Sequence, residues 1–152
     1  RLGRRASGHP PRATRRILRV LIDTSAWIEY LRATGSPAAV EVRRLLTDHA
    51  DRVAMCEPVA MEILSGALDD EKYAVLEQLV NGLPSLTIDE AVDFRAAATI
   101  YRSARRGGRT VRSLNDCLIA ALAMRHGARV IHRDADYEVI ASMTSLESES
   151  FR

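Results

Sequence analysis

Five acidic residues stand where acids seldom serve as solvated charges alone. Asp23 closes the apolar run Leu18-Arg19-Val20-Leu21-Ile22, and Glu62 lies between Met61 and Ile63. Asp116 sits in the first turn of the most apolar stretch of the chain, and Asp134 and Asp136 follow directly on the run ending at His132. Each falls at a strand end or early in the helix that comes next. In a parallel sheet the carboxyl ends of the strands line one crevice, so carboxylates distant in sequence can converge there. Two like charges at ~4 Å repel by about 4 kcal/mol at an effective dielectric near 20. Converged acids therefore carry protons or hold a cation between them. All-oxygen ligands select Mg²⁺ or Mn²⁺ over Zn²⁺. A site that leaves coordination positions to water and phosphate suits phosphodiester hydrolysis. The plainer reading is that Asp23, Asp116 and Asp134 merely cap helices or favour their positive ends. It covers each acid singly, but neither Glu62 nor the ordered set.

The elements that must position these acids alternate. Leu18 to Ile22 reads as a buried strand, with a hydroxyl of Thr24 or Ser25 free to cap a helix carrying Trp27, Ile28 and Leu31. Pro37 opens a second helix, and Val53 to Cys56 reads as a short strand. Pro58 opens the helix that bears Glu62, and Asp69 caps another that stops at Asn81-Gly82. Leu83 to Ile88 is a weaker strand, which Pro84 assigns to a start or an edge. A long helix from about Ala91 precedes the Gly107-Gly108 loop. Ser113 caps the helix of Asp116, which is apolar nearly all round, hence buried, and ends at Gly127. Arg129 to His132 is a strand, Asp134 to Ala141 a short helix, and Thr144 to Leu146 a last edge strand. This order predicts an α/β fold: a mostly parallel central sheet of four to five strands with helices on both faces.

The chain of 152 residues fits one domain able to bury a real core. No apolar run approaches a membrane span, and the basic start lacks the apolar core of a signal peptide. Cys56 and Cys117 lie in apolar surroundings without metal-ligand spacing, which predicts buried thiols in a reducing cytoplasm. The net charge of +2 conceals six arginines and no acid in residues 1–16, leaving a mildly acidic remainder. Residues 1–16 read as a disordered basic arm, an RNA-binding tail or a cloning or upstream remnant, and the domain as 17–152.

Four stretches carry a family resemblance: Ile22 to Ile28, Ala60 to Leu64, Asn115 to Ala123, and Ile131 to Tyr137. In this order and spacing they resemble the motifs of PIN-domain ribonucleases, closest to the VapC-type toxins of bacterial toxin–antitoxin pairs. The resemblance spans residues 18 to 152. It implies a three-layer PIN-like fold and a Mg²⁺- or Mn²⁺-dependent endoribonuclease, often acting on structured RNA such as tRNA. It also implies a homodimer silenced by a small VapB-type antitoxin. Carried over position by position, Asp23 and Asp116 look like the principal metal ligands and Glu62 like the third acid. Asp134 and Asp136 both fit the fourth, with Asp134 favoured and Asp136 supporting. Ser25 matches the small hydroxyl beside the first acid. Tyr137 departs from a commoner Phe, a change expected to matter little.

An acidic pocket repels RNA, so substrate binding asks for basic groups at its rim. Arg102, Arg105, Arg106, Arg109 and Arg112 crowd the segment before Asp116, as a phosphate-gripping rim or a solvated loop. The helices over Ala38–Leu46 and Pro58–Leu64 hold more apolar residues than one small sheet covers, which predicts a groove for an antitoxin helix. Two other classes compete. Aspartyl-phosphate phosphatases use a second Asp two residues after the first, where this chain has Ser25. A non-catalytic, Mg²⁺-binding signalling domain that docks partners needs a lysine at the pocket. Lys72, the single lysine, falls on a predicted exposed helix.

Overall fold

The computed structural model describes residues 18–152, so the arm expected over 1–16 lies outside the described residues. Strand β1 (Val20–Ile22) leads through Asp23 into α1 (Thr24–Leu31), and α2 (Pro37–Asp48) follows with Pro37 in its first turn. Strand β2 (Val53–Ala54) feeds α3 (Glu57–Ser65), then come α4 (Asp70–Asn81) and α5 (Asp93–Arg106). Helix α6 (Leu114–His126), β3 (Arg129–His132), α7 (Ala135–Met143) and β4 (Ser148–Ser150) complete the chain.

The four strands lie in the order β2-β1-β3-β4, all pairs parallel. Neighbours in a strand point to opposite faces. Val20, Leu21 and Ile22 are all buried, as are Val130, Ile131 and His132, so helices cover both faces of the central strands. Strand order reverses around β1, which makes the β1–β3 edge a switch point where ligands bind in such sheets. The Asp23 N–H donates to the Ile131 carbonyl at 2.9 Å, pinning Asp23 against β3 at that point.

Several expected boundaries move. Leu83 to Ile88 forms one parallel bridge, Met55 with Ser85, and no strand. Pro84 has no N–H to give; its carbonyl accepts from Met55, Leu86 donates back, and the ladder stops. The last strand is Ser148–Ser150, not Thr144–Leu146. The Thr144 hydroxyl instead donates to the Ile140 carbonyl and accepts the Leu146 N–H, turning the chain at the end of α7. The long fifth helix begins at Asp93, because the Asp89 side chain holds the Ala91 N–H in a turn.

Helix α6 fills the centre as its composition demands, with Cys117, Ile119, Ala120, Leu122 and Ala123 buried. Gly127 ends it in the left-handed conformation at φ 64°, where a side chain would be strained. Both cysteines are buried free thiols. Among the described residues no helix is long and apolar enough to cross a membrane.

Candidate active site

Asp23 leaves β1 with extended backbone and caps α1 itself. Its Oδ2 accepts the Ser25 N–H at 3.0 Å and the Ser25 hydroxyl at 2.6 Å. This corrects the expected hydroxyl cap: α1 starts at Thr24, so the acid occupies the capping position and the hydroxyl steadies the acid. The same Ser25 oxygen accepts the Arg133 N–H at 2.9 Å, tying the ends of β1 and β3 together.

Asp116 is the third residue of α6, and its N–H donates to the Ser113 hydroxyl at 3.2 Å. In a complete capping box the acid would reach back to the N–H of the capping serine. Here Asp136 takes that N–H, its Oδ2 accepting from Ser113 at 3.2 Å and from Arg112 at 2.9 Å. The Asp116 carboxylate is thereby released from its helix. Its Oδ2 is buried without a hydrogen-bond partner among the described residues. Burial first, then the charges of Asp23, Asp134, Asp136 and Glu62, push its pKa up to about 8.

Asp134 caps α7, accepting the Asp136 N–H at 2.9 Å. Carboxylate oxygens of Asp116, Asp134 and Asp136 lie within 4.8 Å of one another. The sequence leaves the fourth acid open between Asp134 and Asp136; the fold brings both together with different surroundings. Asp136 is buried and bonded to two backbone N–H groups, whereas Asp134 is half-buried. Glu62 approaches from α3, half-buried, and accepts from the Asn115 amide. Burial, then the charge of Asp23, raises its pKa above the ordinary value.

Tyr137 is fully buried, and its hydroxyl donates to Asp23 Oδ1 at 2.7 Å while standing 3.4 Å from Asp116 Oδ1. Tyr in place of Phe therefore puts one buried oxygen between two acids, with its single proton given to Asp23. Burial, then the charges of Asp23 and Asp116, raise the phenol's pKa further, so it stays a donor. Asn115 is a second contributor passed over in the sequence; its signal was its place beside Asp116 in the first turn of α6.

A buried carboxylate oxygen without a hydrogen bond, surrounded by further acids, fits a hard divalent cation bound by oxygen.

The arginines divide. Arg102, Arg105 and Arg106 sit on the last turns of α5, not in the loop after it, and line a depression of about 380 Å³. Arg109 bonds to the Ser142 hydroxyl. Arg112 lies 3.6 Å from Asp134 and 3.5 Å from Asp136, with its side chain 72% exposed. An apolar groove of about 690 Å³ runs between α1, α3 and α4, lined by Ile28, Leu31, Ile63, Leu68 and Leu76, with Glu62 also in its wall. The expected groove between the second and third helices is corrected. The inward face of α2, including Ala38, Val42 and Leu45, is buried in the core, so α2 has little left to line a groove.

The PIN domain pattern matches residues 20–142. The chain is 73% identical over 133 residues to "Ribonuclease VapC11" of Mycobacterium tuberculosis, which covers 88% of this chain and 99% of that one. Its fold is similar to that of the DNA-bound VapBC complex of Salmonella typhimurium, with TM-score 0.71, 22% identity and coverage of 89% and 99%. A VapBC-5 structure from Mycobacterium tuberculosis aligns at TM-score 0.59 and 25% identity, covering 88% and 98%. The crevice of acids at the switch point and a match running from β1 into α7 have one common reading: the chain belongs to the PIN-domain family, among its VapC ribonucleases.

Proposed function

We propose that this chain is a toxin of the VapC kind: a Mg²⁺- or Mn²⁺-dependent endoribonuclease acting on structured RNA such as tRNA in the cytoplasm. The observation that carries the reading is Asp116, released from its capping duty into a cluster of acids with one buried oxygen unpartnered. Asp116 and Asp23 would hold the cation, with Asp134 beside them. Bound there, it supplies positive charge for the scissile phosphate and lowers the pKa of an attacking water.

The chain's own groups do the rest. Ser25 and Tyr137 orient Asp23, and Asp136 holds the start of α6 in place by binding two of its backbone N–H groups. Glu62, with its raised proton affinity and its carboxylate steadied by Asn115, is suited to take a proton from water. Arg105 and Arg106, with Arg102, would grip RNA phosphates from the end of α5, Arg109 would do so from the loop after it, and Arg112 borders the acids. Arg112 is already drawn toward Asp134 and Asp136, so its charge serves the pocket as well as the substrate.

The partner is a VapB-type antitoxin, whose amphipathic helix would occupy the α1–α3–α4 groove. Glu62 belongs both to that groove and to the acid site, so a peptide lying in the groove has a short path to the carboxylates. A basic side chain from such a peptide would pair there strongly in a partly desolvated setting. A homodimer bound to antitoxin is the expected assembly, and residues 17–152 the nuclease domain.

The test is cleavage of total tRNA by the purified chain with Mg²⁺, with EDTA, and with the product of the adjacent small open reading frame. Cleavage that needs the cation and stops with the partner is expected. Full cleavage in EDTA would remove the reading.

A further inference from the structure

Helix α5 turns two unlike faces to its surroundings. Ala97, Ile100 and Ala104 share one face with Asp93 and are buried in the core. Arg95, Thr99, Arg102 and Arg106 follow one another at steps of four, three and four residues, which makes them a row on the opposite, exposed face. Helix α2, by contrast, mixes its outward charges, and Glu41 pairs with Arg44 at 2.6 Å. No acid shares the outer face of α5, because the single acid of that helix, Asp93, is buried against Arg125. Among the described residues no ion pair reaches Arg95, Arg102, Arg105 or Arg106. Beside the arginine row runs a second, of Phe94, Ala98, Tyr101 and Arg105. Phe94 is 52% exposed, and the Arg105 guanidinium lies over the Tyr101 ring, 5.8 Å from its centroid.

We infer that the outer face of α5 is a track for one RNA strand, with phosphates on the arginine row and unpaired bases stacked on Phe94 and on the Arg105–Tyr101 pair. The inference rests on the nuclease reading above and adds Phe94, Arg95 and Tyr101 to its substrate contacts. A row of cations alone would serve any polyanion. An exposed aromatic ring beside it suits a polyanion whose units carry flat rings, since every base has a π-face. Guanidinium planes stack on bases as well, and stacking needs bases that a duplex has not already covered. The track leads to the acids. Helix α5 packs along α6, and Asp93 meets Arg125 near the end of α6, so the Arg106 end of α5 lies toward Asp116. Arg109, bonded to Ser142, and Arg112, beside Asp134 and Asp136, continue from there. From Arg95 to Arg106 the helix rises about 16 Å, the length of about five stacked nucleotides. A second copy of the chain suits this face poorly: in a two-fold dimer the face would meet itself, arginine against arginine.

The experiment titrates a labelled RNA of about 12 nucleotides, long enough to cover the track, with the full chain in EDTA. The RNA is used once unpaired and once annealed to its complement, and fluorescence anisotropy reads the binding. Wild type should bind the unpaired form about tenfold more tightly than the duplex. Phe94→Leu keeps an apolar side chain and loses the flat ring. It should weaken binding of unpaired RNA about tenfold, the scale of one stacked base, and leave duplex binding within about twofold. Arg95→Gln should weaken both forms and make the salt dependence of each shallower by about one phosphate contact. Melting verifies that both variants, altered at exposed positions, are folded. A Phe94→Leu protein that binds unpaired RNA as wild type does, or loses both forms alike, overturns the inference, as does a wild type that binds neither form or the duplex equally well. Displacement of the RNA by polyglutamate at equal charge would assign the face to an acidic protein, and a lower sedimentation mass for Phe94→Leu would assign the ring to a contact between copies; either overturns it. The nuclease reading is tested separately, by cation-dependent cleavage of tRNA by wild type, and survives each of these failures.

Discussion

Helix α6 has a buried aspartate at each end, and the two live in opposite circumstances. Near its C-terminal end, Asp93 of α5 is 1% exposed and receives the Arg125 guanidinium through two hydrogen bonds, at 2.8 and 2.7 Å. That contact holds the Asp93 carboxyl below its ordinary pKa. At the N-terminal end, Asp116 is 6% exposed, has no basic partner among the described residues, and has its pKa pushed up to about 8. Two acids hidden from water thus have opposite proton affinities: a guanidinium faces Asp93, whereas deeper desolvation and four further acids act on Asp116. Where the fold supplies a cation from its own chain, the acid is structural. Where it withholds one, the acid is left open to the cation proposed above.

Supplying neutrality to Asp116 should produce the largest effect. Asp116→Asn should lower Mg²⁺-dependent cleavage about a thousandfold, roughly 4 kcal/mol of transition-state stabilisation, while the EDTA melting temperature holds or rises. Activity within tenfold of wild type would dissolve the contrast between the two acids.

Next in size is the structural end. Arg125→Met leaves Asp93 buried and unpaired and should cost about 3 kcal/mol in urea unfolding, with cleavage by the folded protein kept within about twofold. A loss of cleavage without loss of stability would show that the pair serves the site.

The comparison also has a pH signature. Asp116 ordinarily titrates near 3.8 and in the fold near about 8, so between these values the folded protein binds a proton that the unfolded chain has released. This contribution to stability is complete at low pH and is lost as pH rises toward about 8. In EDTA the melting temperature should fall from pH 5 to pH 8, less so in Asp116→Asn. Mn²⁺ affinity should rise over the same range, because cation and proton compete for one carboxylate. An EDTA profile identical in both proteins would contradict the raised proton affinity.

The smallest effect belongs to the cap. Ser113→Ala removes the acceptor for the Asp116 N–H and should cost about 1 kcal/mol, measured by thermal melts. No loss would mean that Asp136 alone secures this end of α6.

Much of this was legible in the sequence, for reasons that can be named. Asp23, Asp116 and Asp134 announce themselves because each is a charged residue bordering an apolar stretch, and parallel topology then gathers them. Strand β4 was misplaced because Ser148-Glu149-Ser150 is an exposed edge with no apolar alternation. The segment at Leu83 has the apolar pattern of a strand, but one proline limits it to a bridge. The Asp93–Arg125 pair, the Glu62–Asn115 contact and the Tyr137 bridge join residues from different elements, and periodicity within an element carries no signal for them. Of the two helices predicted to form the groove, α3 lines it and α2 does not, because apolar content cannot distinguish a face buried in the core, as in α2, from one left open, as around Leu68, which is 84% exposed.

The ends of the sheet carry a consequence for assembly. On one side β4 is three residues long with an exposed glutamate at its centre, and on the other β2 is two residues long, flanked by a segment whose proline offers no donor. Short, charged or proline-bearing margins are what prevent a sheet from recruiting a neighbour's strand. Such margins disfavour extension of this sheet by a second copy or a partner and leave the helices as the expected contact surfaces. Crowding many copies together should therefore yield discrete complexes in place of cross-β fibres.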